Sequence, residues 1–332
     1  MKKFKIIFLL FSAVLAGCGS KGGKAGSGET PDGMIIRFDR DVAALDKVHP
    51  DVKGMREKYG HYFDVYASGI LQLGRVDAPD FPGLFSLFLS DSLMCEITDS
   101  VLLKYRDMST QETELKGAFG LYEKYFPGRV IPRVYTHVSG FNQSVVVDSA
   151  FVGVGLDNYL GENSMFYKML ATPIPVYMRK KMTEREIVRD VVYGWLTTEF
   201  PYRPVNNDLI SGMIYQGKVV FLLKKLLPDY AEERLFSFLP EQLKWCRENE
   251  MQMWDFLIAN EYLFDTGQML LRKYLFDAPF SSGMPTESPG KAVVWNGYQI
   301  VCKYMDRKGG SLKSLVEEQD YHKILREAAY RP

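Results

Sequence analysis

The histidines are the residues of this chain whose side chains best suit metal binding or acid–base catalysis. There are four, His49, His61, His137 and His322. None has another histidine three to five positions away, so no helical turn presents two imidazoles to one metal ion. The chain also has no Cys-x-x-Cys, no glycine-rich phosphate loop and no Gly-x-Ser-x-Gly. We therefore expect no catalytic residue, no bound metal and no cofactor, with only a site assembled from distant residues left open.

Residues 208–227 form the most unusual of the predicted helices. The segment is apolar nearly all round, which indicates a central helix, except for the polar island Gln216-Gly217-Lys218. Glycine in mid-helix costs about 1 kcal/mol relative to alanine, a cost that close packing offsets. Lys218 must reach solvent, pair with an acid or face a wet cavity. The sequence leaves open whether it makes an ordinary salt bridge or lines a cleft.

Glu199, Trp195 and Tyr298 are further candidates on predicted helices. Glu199 ends its helix beside Phe200-Pro201-Tyr202, and its simplest role is that of a solvated helix end. Trp195 fits core packing better than ligand stacking, and so do most residues of the amphipathic tract 295–301, which contains Tyr298. We keep all three as candidates for a partner-binding cleft, with packing as the alternative.

Two glycines are notable in the predicted strand 152–156. Gly153 and Gly155 share one face with Phe151, because side chains alternate along a strand. Bare glycines let a backbone or a ligand approach closely, although a bulge or simple helix packing explains them equally well. The sequence thus predicts a cleft between this strand and the 208–227 helix. Its candidate residues are Gly153, Gly155, Trp195, Glu199, Gln216, Lys218 and Tyr298.

The first third of the chain is predicted to hold one short strand followed by helices. The strand covers residues 35–38. Apolar residues at spacings of three and four predict helices over residues 50–73 and 82–105, the second of them bent. Ser109-Thr110-Gln111-Glu112 is a capping-box pattern that begins a further helix, which ends at Pro127.

The remainder changes from strands to helices. Three β-like segments cover residues 130–135, 144–148 and 152–156. After residue 173 almost everything has a helical pattern, and Thr183-Glu184-Arg185-Glu186 is a second capping box. Asn206-Asn207-Asp208 caps the central helix, and further helices fall near 240–260, 267–276, 290–306 and 311–328. We expect one α+β domain over residues 34–332, mainly α-helical with a small β-sheet.

The first 18 residues predict export and lipid attachment. Lys2, Lys3 and Lys5 flank an apolar run over residues 4–16, which rises only about 20 Å as a helix, too short to span a ~30 Å hydrocarbon core. Leu15-Ala16-Gly17-Cys18 resembles the lipobox of bacterial lipoproteins, which implies cleavage before Cys18 and acylation of its thiol. An ordinary secretory signal, with Cys18 there by chance, is the alternative.

The residues after Cys18 predict a tether. Residues 18–33 are rich in glycine without apolar periodicity, and a 14-residue coil of this kind spans about 20 Å. They also lack the acidic cluster typical of lipoproteins sent to the cell surface. We therefore expect a signal peptide over residues 1–17, a lipidated tether over 18–33, and a periplasm-facing body anchored in the outer membrane.

Composition excludes some partners. Without the three lysines of residues 1–17, the chain has 38 basic and 41 acidic residues, a formal charge of −3, so nothing attracts nucleic acid or anionic lipid in general. Aromatic residues make up 14% of the chain, which indicates a large packed core. Three cysteines follow Cys18, namely Cys95, Cys246 and Cys302. Buried free thiols are the simplest expectation, and one disulfide stays open.

Six runs of residues agree in order and spacing with one known family. They are Ser288-Pro289-Gly290-Lys291, Val294-Trp295-Asn296-Gly297-Tyr298-Gln299-Ile300-Val301, Lys303-Tyr304-Met305, Met213-Ile214-Tyr215-Gln216-Gly217-Lys218, Glu241-Gln242-Leu243-Lys244-Trp245 and Ile36-Arg37-Phe38-Asp39. Over roughly residues 35–332 the chain resembles the gliding-motility lipoproteins of type B of the Bacteroidota. This resemblance implies an envelope lipoprotein that supports gliding and the associated protein-secretion apparatus, without established enzymatic activity.

The helical half also resembles, more distantly, predicted zinc peptidases with a His-Glu-x-x-His helix and a later Glu-Gly helix. The corresponding stretches are residues 189–195, which contain no histidine, and Gln216-Gly217, where an amide replaces the acid. A neutral amide is a poor substitute for an anionic zinc ligand. The resemblance therefore implies a zincin-like scaffold without the metal motif, a pseudo-peptidase.

The preferred hypothesis is a non-catalytic envelope lipoprotein, attached to the membrane through Cys18, that binds an envelope protein partner and no nucleic acid. Membrane attachment raises its effective concentration toward such partners. The alternative is a divergent metallopeptidase-like hydrolase with atypical ligands, which bound zinc would favour. A third hypothesis is a nutrient-binding lipoprotein of the kind paired with outer-membrane transporters. Those proteins resemble longer chains with helical repeats, which this sequence lacks.

Overall fold

A computed structural model describes residues 33–332 of the protein. The predicted signal peptide, the acylated Cys18 and nearly all of the tether lie outside the described residues. The model is mainly helical, at 57%, with one four-stranded sheet, which confirms the expected α+β class. The zincin-like scaffold is not tested by these features and stays a prediction.

The sheet is mixed and small. Its strands are β1 (Ile35–Ile36), β2 (Arg133–His137), β3 (Val145–Val147) and β4 (Phe151–Gly155). The spatial order is β1-β2-β4-β3, with β1, β2 and β4 parallel and β3 antiparallel at one edge. The register places Tyr135 beside Gly153 and His137 beside Gly155. The predicted first strand is two residues too long, because Phe38 already begins a helix and buries its ring.

The sheet separates two apolar cores, as the alternation of side chains along its strands requires. Tyr135 and Phe151 face an aromatic cluster built with Phe38, Tyr62 and other rings of the first helices. Val134, Val152 and Val154 face the larger core, which the later helices fill. This arrangement accounts for the high aromatic content of the chain.

Six helices precede β2. They are α1 (Phe38–Ala43), α2 (Val52–Tyr59), α3 (His61–Val65, continued by a π-helical turn over Tyr66–Ile70), α4 (Phe81–Ser90), α5 (Ser92–Lys104) and α6 (Ser109–Tyr125). The two long helices predicted here are each broken. Gly60 has φ +52°, which few residues other than glycine adopt, and Asp91 is extended and accepts the N–H of Met94 as an N-cap.

Neither predicted capping box forms. Asp107, not Ser109, accepts the first free N–H of α6, at 2.8 Å. The carboxylate of Glu112 instead accepts the N–H groups of Met34 and Ile35, at 2.6 and 2.8 Å, and so pins β1 to α6. At the second site, Thr183 makes no capping hydrogen bond, because residues 184–186 form a 3-10 turn before the next helix.

Eleven further helices follow β4 in the described chain. They are α7 (Phe166–Met169), α8 (Val176–Arg179), α9 (Ile187–Glu199), α10 (Leu209–Leu226), α11 (Glu232–Phe236), α12 (Pro240–Glu248), α13 (Glu250–Ala259), α14 (Gln268–Leu275), α15 (Val293–Lys308), α16 (Leu312–Glu317) and α17 (Tyr321–Ala328). Within residues 33–332 no helix combines the length and apolar composition needed to span a bilayer.

Helix α10 is central, as its composition predicts, and Asp208 caps it by accepting the N–H of Ser211 at 3.1 Å. It crosses α15 at two glycines. A Cβ atom on Gly217 would lie 2.3 Å from the carbonyl carbon of Gly297, and one on Gly297 would lie 2.0 Å from the carbonyl oxygen of Met213. The mid-helix glycine therefore lets two backbones touch, which explains why it is tolerated.

The three cysteines of the described chain are free thiols. Cys246 is fully buried, whereas Cys95 and Cys302 are half-buried. Burial raises the pKa of Cys302 to about 11, so its thiol stays protonated at neutral pH. Of the two expectations, the structure has the free thiols and not the disulfide.

Candidate functional site

The seven candidate residues do not line one open cleft in the structure. They lie in separate environments, and most are buried by contacts within this chain.

The two strand glycines make room for other parts of this chain. A Cβ atom on Gly153 would lie 3.1 Å from the ring of Tyr62, and one on Gly155 would lie 2.3 Å from the carbonyl oxygen of Gln143. Helix packing and close backbone approach therefore account for both glycines. That was the alternative to a ligand-facing role.

Two titratable residues at this end of the sheet were not among the candidates. His137, at the end of β2, has its Nδ1 2.9 Å from the hydroxyl of Tyr62, and burial lowers its pKa to about 4. Asp157 follows β4 and accepts the N–H groups of Ser139 and Phe141, at 3.1 and 2.7 Å. Burial nevertheless raises the pKa of Asp157 to about 6. Their positions at strand ends were the signal that sequence analysis passed over.

Glu199 and Trp195 have structural surroundings. Glu199 pairs with Arg129 at 2.9 Å and accepts the hydroxyl of Tyr122 at 3.1 Å, so it joins the ends of α6 and α9. The expectation of a merely solvated helix end is wrong in that respect. Trp195 is fully buried in the larger core, in agreement with its packing alternative.

Lys218 is buried and forms no salt bridge within residues 33–332. Its ammonium donates to the backbone carbonyl of Glu318 at 2.7 Å and lies 4.9 Å from the ring centre of Tyr321. Burial lowers its pKa to about 8. The ammonium thus neither reaches solvent nor forms the ordinary salt bridge that the sequence left open, and it ties α10 to the end of α16.

Tyr298 belongs to a polar network on α15. Its hydroxyl donates to Glu232 at 3.3 Å and accepts from the ammonium of Lys224 at 3.1 Å, while Lys224 also pairs with Glu232. The ring is buried, as the packing alternative predicts. The network fixes α10, α11 and α15 relative to one another.

Gln216 is half-buried and bonded to the end of α14. Its amide nitrogen donates to the carbonyl of Leu275 at 2.8 Å. That bond fixes the segment carrying Asp277, two residues further on. Gln216 therefore leads to a concentration of charge around Asp277 that is partly open to solvent.

We call this concentration the cationic centre and define it by Lys181, Arg189, Asp190, Asp277 and Lys291. The ammonium groups of Lys181 and Lys291 lie 2.7 and 3.3 Å from the same oxygen, Oδ1 of Asp277. The exposed fractions of the three side chains are 28%, 14% and 41%, in the order Lys181, Lys291, Asp277. A small charged group can therefore reach them from solvent.

Arg189 is the buried member of the cationic centre. Its guanidinium pairs with Asp190 at 3.0 Å and donates two hydrogen bonds to the carbonyl of Leu235. It also lies 4.4 Å from the ring centre of Tyr193. The hydroxyl of Tyr159 donates to the second oxygen of Asp190 at 2.9 Å. Arg189 and Asp190 thus form a neutral, fully bonded pair.

Burial and the neighbouring charges shift the pKa values of Lys181 and Asp277. Burial lowers the pKa of Lys181, and the neighbouring charges of Lys291 and Arg189 lower it further. The carboxylate of Asp277 acts in the opposite direction and raises it. Burial would raise the pKa of Asp277, but Lys291 and Lys181 outweigh it and hold that pKa well below its ordinary value. Asp277 is therefore ionised whenever either lysine is charged.

The run Ser288-Pro289-Gly290-Lys291 builds the frame that presents Lys291. The hydroxyl of Ser288 accepts the N–H of Ser281 at 3.1 Å, and the hydroxyl of Ser281 donates to the carbonyl of Pro289 at 2.8 Å. A Cβ atom on Gly290 would lie 2.2 Å from the carbonyl oxygen of Ala278, so this glycine is required for the close approach. The sequence analysis used the run only for resemblance and missed its charge.

A metal site requires several ligand side chains that lie close together. Among residues 33–332, no three His, Cys, Asp or Glu side chains lie close enough together to hold a metal ion. Residues 189–195 and Gln216-Gly217, which lack the ligands of a zinc-peptidase motif, contribute Arg189, Asp190 and Gln216 to the region of the cationic centre.

Comparison with known proteins gives one match. The family model described as gliding motility protein GldB matches residues 25–332. No curated protein and no solved structure matches. The match confirms the resemblance to gliding-motility lipoproteins, whereas the similarity to zinc peptidases stays a prediction.

Proposed function

We propose a function from one premise: the chain belongs to the gliding motility protein GldB family, a family of gliding-motility-associated lipoproteins. The protein is a periplasm-facing envelope lipoprotein, anchored in the outer membrane through an acylated Cys18. It supports the gliding-motility and protein-secretion machinery, or related envelope assembly, by binding a protein partner. It performs no catalysis of its own.

One observation supports binding over catalysis most strongly. Cationic side chains occupy the region where the resemblance places a zinc-binding helix, with Arg189 on α9 and the charge of Lys181 acting on it. The positive charges of Lys181 and Lys291, which exceed the one carboxylate of Asp277, repel a divalent metal ion. The same charges attract an anionic group of a partner, and their existing bonds hold them in place for it.

Photocrosslinking in intact cells tests the proposal. A photoreactive amino acid replaces Val176, which is 52% exposed in the segment just before Lys181. The matched control replaces Lys313, whose side chain is 74% exposed on α16. We expect a discrete adduct with an envelope protein from position 176 and none from position 313. Identical adducts from both positions, or none from position 176 in folded protein, would contradict a partner at this surface.

The same cells test the anchor and the alternative. With Cys18→Ala, we expect loss of fatty-acid labelling and of the adduct, because the body is no longer held at the membrane. Purified wild-type protein is also analysed for metal and for peptide hydrolysis. Stoichiometric zinc, with hydrolysis abolished by a chelator and restored by zinc, would replace this proposal with the metallopeptidase-like hydrolase.

A further inference from the structure

We propose that Lys181 and Lys291 form a receptor for a single carboxylate group, the C-terminal carboxylate of a polypeptide. The inference rests on the proposed function, partner binding, and names the chemical group that is bound. Three features of the cationic centre support it: its unmatched charge, its unused donors and its built-in anion.

The first feature is the charge balance. Arg189 and Asp190 neutralise each other at 3.0 Å, which leaves two ammonium groups facing the one carboxylate of Asp277. Counted over the five residues that define the cationic centre, three positive and two negative charges leave one positive charge in excess at a partly buried position, where an unpaired charge is costly. A group with one negative charge restores neutrality. A carboxylate carries one negative charge at neutral pH and fits this balance, whereas a dianionic phosphate overcompensates it.

The second feature is the number of free donors. An ammonium group carries three N–H donors. Among residues 33–332, Asp277 is the one acceptor within salt-bridge distance of either lysine, and both lysines use its Oδ1. At least two donors on each lysine thus remain for another acceptor. Two oxygens of a carboxylate accept from two such groups in the way that carboxylates bind paired cations.

The third feature is that the two lysines already bind a carboxylate group, that of Asp277. Its carboxylate is the intramolecular occupant, and it keeps the two lysines close in spite of their mutual repulsion. The frame around them is rigid, since Ser281 and Ser288 bond to each other and Gly290 packs against the backbone of Ala278. The donors are therefore pre-organised, which lowers the entropic cost of binding.

The segment before Lys181 suits a polypeptide rather than a free small acid. Met165, Met169 and Val176 expose 62%, 61% and 52% of their side chains. The ends of this segment meet, because the N–H of Gly161 donates to the carbonyl of Met182 at 2.9 Å. Val176 precedes Lys181 by five residues, and we expect the exposed apolar side chains of this segment to provide contact area for the residues that precede a chain terminus.

The test uses the full-length chain in detergent and two synthetic peptides. They are N-acetylated tri-alanine with a free C-terminal carboxylate and the same peptide with a C-terminal amide. Binding is measured by calorimetry and by the rise in Tm with peptide concentration. We expect the free acid to bind and the amide not to bind. Equal binding of the two peptides, or binding of neither, would overturn the receptor.

Three variants separate a receptor from a purely structural clasp. Asp277→Asn removes the competing internal anion, so we expect about tenfold tighter binding of the free acid, the size of one charge-assisted hydrogen bond. Lys291→Met keeps the length of the side chain and should abolish binding. Lys313→Met, in an exposed pair with Glu317, should change nothing. If the ion pairs of Lys181 and Lys291 with Asp277 only stabilise the fold, Asp277→Asn should lose stability and gain no affinity for the free acid.

Two further measurements complete the test, namely stabilisation of the protein by inorganic phosphate and formation of the photocrosslinked adduct from position 176 in cells. Stronger stabilisation by phosphate than by the free acid would overturn the choice of carboxylate. If the adduct from position 176 forms but no peptide acid binds, the partner function stands and the receptor fails. If the acid binds but no adduct forms, the receptor stands and the proposed partner function fails.

Discussion

Gly217 of α10 and Gly297 of α15 lie against each other so closely that a Cβ atom on Gly217 would be 2.3 Å from the carbonyl carbon of Gly297. The atoms it would meet belong to backbone, which cannot move aside as the end of a flexible side chain can. The crossing therefore sets the distance between the two helices at the centre of the larger core.

Gly217→Ala should destabilise the protein by about 3 kcal/mol, because the added methyl group forces α10 and α15 apart. The matched control is Gly120→Ala on α6, where a Cβ atom meets nothing within 4 Å. There the higher helix propensity of alanine should stabilise by about 1 kcal/mol. Chemical denaturation of both variants measures the difference, and the same sign of change in both would refute the close crossing.

Asp157→Asn should alter how stability depends on pH. Burial raises the pKa of Asp157 from 3.8 to about 6, so its contribution is fully present below pH 4 and is lost as the pH rises through 6. The asparagine variant does not lose it. Its stability relative to wild type should therefore increase by about 3 kcal/mol between pH 4 and pH 7. Urea denaturation at several pH values measures this, and parallel curves would show that the carboxyl is not strained by burial.

His137→Asn should show the opposite dependence. Burial lowers the pKa of His137 to about 4, so its contribution is present above pH 6.5 and is lost as the pH falls toward 4. The asparagine variant, which can still bond the hydroxyl of Tyr62, should gain about 3 kcal/mol on wild type from pH 7 to pH 4. In wild type the slopes of His137 and Asp157 oppose each other between pH 4 and pH 6. If these two residues alone made the stability of the wild type depend steeply on pH between pH 4 and pH 6, that would contradict both pKa shifts.

Glu112→Ala should loosen β1 without unfolding the body. It leaves the N–H groups of Met34 and Ile35 without their acceptor, at a cost of about 2 kcal/mol. Hydrogen exchange should accelerate at Val134, which β1 covers through the carbonyl of Met34, and not in α10. Glu123→Ala, on an exposed face of the same helix, is the control and should leave exchange unchanged.

The sequence predicted the positions of the helices more accurately than the points at which two of them are broken. Helix α10 and its Asp208 cap follow from composition, since an apolar helix has to be central and a preceding aspartate suits an N-cap. The break at Gly60 was missed because apolar periodicity continues through it, whereas at Asp91 the sequence predicted a bend and the structure has a break between two helices. Glu112 fitted a capping box but found stronger donors on β1, a contact between residues far apart in the sequence.

The candidate site was harder to predict for a related reason. Lys181 and Asp277 are 96 residues apart, and no local pattern joins them. Gly153 and Lys218 were conspicuous because they break a local rule, and the structure resolves each through contacts within the chain. Charged residues that are far apart in the sequence and come together only in the fold produce no local sequence pattern.

β1 is the first element of the fold in residues 33–332, so tension applied from its N-terminal side reaches the body there first. The strand is two residues long and parallel to β2, so a pull along it loads its hydrogen bonds together instead of one by one. The carboxylate of Glu112 shares that load and passes it into α6. A force applied to the residues that precede β1 would thus detach a few residues at the sheet edge before it strained the helices that carry the cationic centre.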